Sequence, residues 1–425
     1  MTSARPLPLA AAIACAALTL SSCAGSAGTG GSAGGEAGAG FEYGAEQSAV
    51  DEALADLEPV TLTYQPAAAS PESIMAPAAL AYKKFIEERS GGKITLDLVW
   101  GQAIAGYSEI DDALADGRLD LSYSLPIYNP SDYPTFDAIA SALSGLPISP
   151  VRGEAIYNAV AGDIGWQSEG LLDEYEAQGV TPLTPVISSG GYYSVCNAEG
   201  TTPEDWAGRQ VRVASTAHLE VTEELGASPV SMEYVEVFEA LQRGTVDCTL
   251  AQLLPSAESQ LFDVAPYLSY SSDEHSLSSR AVGAELAGRS FAELPLAYKQ
   301  IIFDAAQASY AGINRIVADG NAESVRQVKE AGGTIEPIDE DTEEIIGSAN
   351  EANSQAVIDS GLLGDDVDQQ IEDSAQTWSA VADELGVEDE GDFESLDEWW
   401  DEDVIDFGPM GQRFYEETGL AHRPE

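Results

Sequence analysis

Between residues 58 and 125 the chain switches repeatedly between a two-residue and a helical period, and this limits its folds more than any other feature. "VTLTYQP" alternates like a strand. "PESIMAPAALAYKKFIEERSGGK" places Ala79, Tyr82 and Ile86 at helical spacing and stops at Gly91–Gly92. "ITLDLVW" alternates again, "YSEIDDALADGRLD" is a short helix ending at Gly117, and "LSYSLP" is a further strand. Strand, helix, strand, helix, strand at such short spacing predicts a parallel α/β sheet. The Pro- and Tyr-rich connection that follows, "PIYNPSDYPTFD", lies where α/β sheets gather their ligand loops.

The theme returns downstream. "PVISSGGYYSVCN" is strand-like, "TTPEDWAG" a capped helical turn, "RQVRVAS" a strand, "HLEVTEELGAS" a helix and "PVSM" a strand fragment. In "SMEYVEVFEALQRGTVDCTLAQ", Val235, Phe238 and Leu241 keep a helical period. Gly244 then permits a turn at positive φ, and a buried strand begins at Val246. The expected architecture is two α/β lobes, residues 58–185 and 186–260, around a cleft. Residues 261–425 are expected to supply lobe-crossing segments and an acidic, helical C-terminal part. No repeat of solenoid period is visible.

The N-terminus fixes the compartment. Arg5, the apolar run Leu7–Leu20 and the small residues after it describe a secretory signal peptide over 1–22, too short for a convincing membrane span. "LSSC" resembles a bacterial lipobox, which would lipidate Cys23; ordinary cleavage nearby or a retained anchor are the alternatives. The Gly/Ser/Ala-rich tract that follows predicts a flexible tether over 23–57. The location implied is the extracytoplasmic face of a cell membrane, touched through the lipid alone.

Charge limits the partners. Lys and Arg number 18 against 73 Asp and Glu, a formal net charge of −55. Removing residues 1–22 takes away only Arg5 and leaves −56. Such a surface excludes nucleic acid and disfavours anionic headgroups. The 44% hydrophobic content still permits a core, so the acids read as a solvated, salt-adapted surface. Of four cysteines, Cys15 leaves with the signal and Cys23 takes lipid. Cys196 and Cys248 remain as an even pair in an oxidising compartment and suggest a disulfide, two separate buried thiols being the alternative. Closing that loop would contribute about 4 kcal/mol in the chain-entropy model.

Catalytic motifs are missing. There is no GxSxG, HExxH, paired CxxC or P-loop, and only three histidines occur, His218, His275 and His422. The acidic runs lack an EF-hand's glycine and final glutamate. His218 reads as a surface or packing residue. Asp247 reads as a structural carboxylate bonded to backbone donors. Arg212 differs, because it lies mid-strand in "RQVRVAS" and its planar fork matches a carboxylate. On spacing alone an internal salt bridge accounts for it equally well.

Taken in order, these blocks resemble the solute-binding proteins of TRAP transporters, the dicarboxylate-binding type. "FIEERSGGKITLDLVWGQ", "EIDDALADGRLDLSYS", "TTPEDWAGRQVRVAS" and "LGASPVSMEYVEVFEALQRGTVDCTLAQ" carry the resemblance, which spans roughly residues 58 to 310. It implies a two-lobed periplasmic-binding-protein-like fold and no cofactor, metal or catalysis. It implies that Arg212 anchors a carboxylate and that membrane permease subunits are the partner. Two departures stand out. Ala251 occupies the place of the family's ligand-touching asparagine, so Gln252 or a water would substitute. The family's second arginine is absent near Tyr192–Tyr193, which favours a monocarboxylate with an aromatic or apolar body. Tyr128, Tyr193 and Gln102 complete the candidate ligand contacts. The reading is a lipid-anchored receptor for a small organic acid; an ABC-importer receptor, a ligand sensor and a secreted hydrolase are the rivals.

Overall fold

The computed structural model describes residues 39–271, 276–401 and 404–425. Eleven strands are found among them. They are β1 (Val60–Gln65), β2 (Ile94–Leu98), β3 (Leu121–Ser124), β4 (Thr181–Ile187), β5 (Tyr192–Cys196), β6 (Gln210–Val213), β7 (Ser228–Ser231), β8 (Cys248–Gln252), β9 (Tyr267–Tyr270), β10 (Gly283–Ala287) and β11 (Thr334–Pro337). One sheet has the order β2-β1-β3-β10-β4, the other β11-β9-β5-β8-β6-β7. Helices cover both, so the fold is mixed α/β with two lobes, as expected.

Local physics accounts for the elements that position the site. The helix Ala76–Arg89 buries Ala76, Ala79, Tyr82 and Ile86, and Gly91 and Gly92 follow it at positive φ. The helix Ile110–Asp116 ends on Gly117 at φ 85°. Thr202 and Asp205 form a reciprocal capping box on the turn Pro203–Trp206. Gly244, at φ 68°, makes the turn expected of it. The strand after it starts at Cys248 rather than Val246, because Asp247 first hydrogen-bonds across to Gln210. The preceding helix, Val237–Gln242, buries Val237, Ala240 and Leu241 and leaves Val235 exposed, so the apolar stripe is shifted from the one the period suggested.

Neither sheet is purely parallel. The segment "PVISSGGYYSVCN" is two strands in different sheets, broken at Ser188–Gly191 where the chain crosses between lobes. The chain returns after β9, and β10 inserts antiparallel between β3 and β4. β5 likewise runs antiparallel to β8 and β9. Each sheet is thus completed by chain arriving from the other lobe. The third crossing is the helix Ala306–Glu330, which packs on both sides. A Cβ at Gly312 would lie 2.9 Å from Ala78 Cα, and one at Gly320 would lie 2.6 Å from Leu254 Cα. Glycine is required at both for the backbones to approach.

Residues expected to be tether are partly folded. Gln47–Leu54 is a helix that buries Val50 and Leu54, and Phe41 is held by Gln300 and Arg423. Apolar residues spaced at helical intervals in "FEYGAEQSAVDEALADL" outweigh the glycine-rich composition just before it. Cys23, the signal segment and His275 lie outside the described residues. No helix among the described residues is long and apolar enough to cross a membrane.

Two buried contacts fix the crossings. Glu154 accepts a hydrogen bond from Gly191 N at 2.6 Å and pairs with Arg280 Nη1 at 3.3 Å, both side chains being almost wholly buried. Arg280 also lies over the Tyr157 ring and donates to the carbonyls of Leu146 and Pro147. One carboxylate therefore holds the first and second crossings together. At the other end of the β5–β8 pair from Tyr192 and Gln252, Cys196 and Cys248, directly opposite each other, are disulfide-bonded. Breaking a buried pair from one side leaves the other charge desolvated and typically costs about 3–5 kcal/mol. Glu154→Ala should therefore unfold at markedly lower denaturant than wild type, and Glu154→Gln, which keeps an acceptor for Gly191, should lose less. Equal midpoints for Glu154→Ala and wild type would refute the role.

Candidate functional site

Arg212 sits near the C-terminal end of β6, whose alternation sends Val211 and Val213 one way and Arg212 the other. It is 1% exposed. Nε donates to Met232 O at 3.0 Å, Nη1 to Leu250 O at 3.4 Å and Nη2 to Tyr128 Oη at 3.4 Å. The Tyr234 ring lies 5.6 Å from its Cζ. These contacts occupy three of the five N–H groups and leave one free on each Nη. Among the described residues no carboxylate pairs with it. The other two deeply placed arginines are different, since Arg280 has Glu154 and Arg423 has Asp304.

Arg212 faces a cavity of about 70 Å³ in the interlobe cleft, room for roughly five to seven waters. Five tyrosines line it, Tyr107, Tyr123, Tyr128, Tyr192 and Tyr234, with Met75, Leu125, Ile127, Pro255 and Val282. Tyr128 comes from the first lobe yet touches Arg212 and the backbone N–H of Tyr234 in the second, so its hydroxyl bridges the cleft. Gln252 lines the cavity too. Its Nε2 donates to the carbonyls of Gly190 and Arg280, which leaves Oε1 as the atom it can present. Gln252 therefore offers an acceptor, and cannot replace an asparagine that donates to a carboxylate.

Two expected contacts lie elsewhere. Tyr193 stacks on Phe393 with ring centroids 5.1 Å apart, on the opposite face of β5. Its neighbour Tyr192 takes the cleft position, since adjacent strand residues point to opposite faces. Gln102 follows the edge strand β2 in a left-handed turn at φ 54°, away from the cavity lining. His218 is buried rather than at the surface. Nδ1 accepts from Ala214 N, Nε2 donates to Ser279 O, and burial pushes its pKa down to about 3, so it stays neutral. It packs under Tyr192 at 4.1 Å and holds that ring toward the cleft. Asp247 is the structural carboxylate expected, accepting from Gln210 N at 2.9 Å. Among the described residues no cluster of His, Cys, Asp or Glu could hold a metal ion.

A second, smaller chamber of about 40 Å³ adjoins the first and shares Ala67, Met75, Tyr123 and Ser189 with it. Tyr123 Oη and Ser189 Oγ lie 3.2 Å apart at that boundary. Glu285 of β10 lines the far end.

The family model for bacterial extracellular solute-binding proteins, family 7 (DctP), matches residues 67–358. The chain belongs to that family. It is 28% identical to the C4-dicarboxylate-binding periplasmic protein DctP of Rhodobacter capsulatus over 197 residues, 45% of this chain and 55% of that one. The chain spans only about half the length, or less, of the curated relatives it matches first. Among solved structures, the sugar acid binding protein DctPAm of Advenella mimigardefordensis, in complex with galactonate, superposes with TM-score 0.63. It is 21% identical and the match covers 76% of this chain and all of that one. DctP7 of Bordetella pertussis, an extracytoplasmic solute receptor binding pyroglutamic acid, gives 0.60 at 15% identity over 75% and 99%. These likenesses show that the family 7 chain has the fold of TRAP solute-binding proteins.

Within this family member the cleft residues missed from sequence are Tyr107, Tyr123, Tyr192, Tyr234 and Glu285. The signal for the last was a single acid inside the apolar run "AVGAELAG". Burial raises the Glu285 pKa from 4.5 to about 8. Its folded pKa is above its unfolded one, so the folded state holds a proton that the unfolded state gives up between about pH 4.5 and 8. Stability from this group is complete at low pH and lost as pH rises. Glu285→Gln should melt with wild type near pH 4 and gain on it steadily, by up to roughly 1 kcal/mol per pH unit, toward pH 8. Parallel pH–Tm curves would mean the carboxyl is ionised in the fold.

Proposed function

We propose that this protein is an extracytoplasmic receptor that captures a small organic acid in the Arg212 cleft and delivers it to a TRAP-type secondary transporter. One observation carries the reading: a buried arginine with no carboxylate partner, holding one free N–H on each Nη. Desolvating a guanidinium without a counter-ion is unfavourable. A carboxylate bound bidentately supplies the missing charge and two charge-assisted bonds. The chain's own carboxylates are numerous, yet among the described residues none pairs with this group, which leaves the place to a solute.

The tyrosine-rich lining suits a monocarboxylate with an apolar or aromatic body, since Arg212 is the only basic residue among the described residues that line the cavity. Capture would proceed by closure of the lobes about the three crossings, with Tyr128 reaching over to the second lobe. Membrane permease subunits would then receive the solute, and Cys23 would tether the receptor by lipid. Two acyl signals or more are needed for firm anchoring, which lipoprotein maturation at one cysteine can provide.

Mass spectrometry of the co-purified solute, then calorimetric titration, tests the cleft. Arg212→Ala should lose roughly thirty- to several-thousand-fold in affinity for that solute, while the empty protein melts within a few degrees of wild type. Arg212→Lys should recover little, because an ammonium lacks the planar fork. Normal binding by Arg212→Ala would overturn the assignment. For the tether, Cys23→Ser should move the protein from the membrane pellet to the medium; a variant that still pellets would exclude lipid at Cys23.

A further inference from the structure

Glu285 is 3% exposed, and its two oxygens are unequally served. Oε2 accepts from Tyr64 Oη at 3.3 Å, whereas Oε1 is buried with no partner. The register explains why it faces the second chamber. Glu285 lies opposite Tyr123 on β3, and Tyr64 of β1 is paired with Leu121, two residues before Tyr123. Side chains two apart or directly opposite share a sheet face, so Tyr64, Tyr123 and Glu285 form one row beneath the helices Ala76–Arg89 and Ala306–Glu330.

Among the described residues, no cation is found in the row's surroundings. Tyr64 from β1, Tyr123 from β3 and Tyr82 from the helix Ala76–Arg89 are the titratable groups facing Glu285, and burial raises the pKa of each hydroxyl. The helix Ala306–Glu330 contributes Ser309, Ile313 and Ile316, and β4 contributes Thr184 opposite Glu285. Two adjoining chambers thus end on opposite unmatched groups, a guanidinium without an acid and a carboxyl without a base. Each is an unfavourable way to fill an interior, and most buried polar atoms in folded proteins find partners.

We infer that the second chamber is a subsite for a cationic nitrogen, so that the solute carries a carboxylate for Arg212 and an amine or amidine for Glu285. The inference rests on the Arg212 reading for the acid end and adds the other end. A zwitterion of this kind has no net charge to be repelled by a protein of net charge −55. It also completes both ion pairs inside one enclosure. The empty Glu285 holds its proton at neutral pH, because burial lifts it to about 8. Capturing a cation ionises it and releases that proton to solvent.

The test uses the purified full-length protein freed of bound solute. Its probes are ω-amino carboxylates of graded chain length, with the matching ω-hydroxy and unsubstituted carboxylates as controls. Wild type should bind the best amino-ended acid on the order of tenfold to a hundredfold tighter than its controls. In Glu285→Gln the ratio should fall to near one. Calorimetry of wild type at pH 7, in buffers of different ionisation enthalpy, should show nearly one proton released by amino-ended acids and none by the controls. The apparent affinity for amino-ended acids should rise up to tenfold per pH unit below about 8 and then level. The proton count needs no variant, so it decides even if Glu285→Gln folds poorly. If plain or hydroxyl-ended acids bind as tightly as amino-ended ones through Arg212, the cationic subsite is wrong and the carboxylate receptor stands. If no acid of any series binds, and the co-purified solute has no acidic group, both fall.

Discussion

Glu154 sits where two crossing segments meet, and its two contacts, a hydrogen bond accepted from Gly191 N and an ion pair with Arg280, are those on which the two-lobed arrangement depends. Each sheet takes strands from chain that has crossed over, so the crossings must pass through the interior without leaving backbone groups unpaired. A carboxylate can serve a backbone N–H and a guanidinium at once, which a neutral side chain cannot match. The same junction governs the site. Gln252 is oriented by carbonyls of Gly190 and Arg280, and His218 by that of Ser279, so residues of both crossings set the cleft wall. Movement of one lobe against the other would therefore reshape the lining through these bonds.

The contrast between Arg280 and Arg212 separates an arginine matched by an acid from one that is not. Both are almost wholly buried, and both lie near a tyrosine ring, at 4.0 and 5.6 Å. Ring proximity and carbonyl acceptors alone do not neutralise a full charge in a low dielectric. Arg280 has Glu154 as well, and forms a completed knot. Arg212 has none, and stands beside a cavity. An interior that matches one arginine and leaves another unmatched is the pattern on which the proposed carboxylate site rests.

Much of the fold was legible because periodicity is local. The helix at residues 76–89, the stops at Gly91, Gly117 and Gly244, and the capping box at Thr202 follow from neighbours in sequence. The strand crossings were harder, since "PVISSGGYYSVCN" has the composition of one long strand and only the tertiary fold splits it at Ser188–Gly191. Within the site, Arg212, Tyr128 and Gln252 were legible as cleft residues. Tyr193 was misplaced by one position, and a strand's period of two turns a slip of one into the wrong face. Glu285 was hidden for another reason. In a chain with 73 acids, nothing local marks the one that is buried.

The acidic surface and the cleft act over different distances. With a screening length of about 8–10 Å at moderate salt, much of the surface field is lost within a few water layers. Within an enclosure from which water has been removed, a single pair a few ångströms apart outweighs that remnant. In a receptor of the kind proposed, affinity would therefore depend on how completely closure desolvates Arg212 and the solute. Tyr128 is placed to influence this step, because its hydroxyl reaches from the first lobe to both Arg212 and Tyr234 N at 3.4 and 3.3 Å. These bonds are long, and the second N–H on Nη2 stays free, so a carboxylate could reach the guanidinium beside the phenol. Closure and capture thus share one nitrogen. Adding a charged acceptor beside the neutral one at that atom would favour the occupied cleft over the empty one.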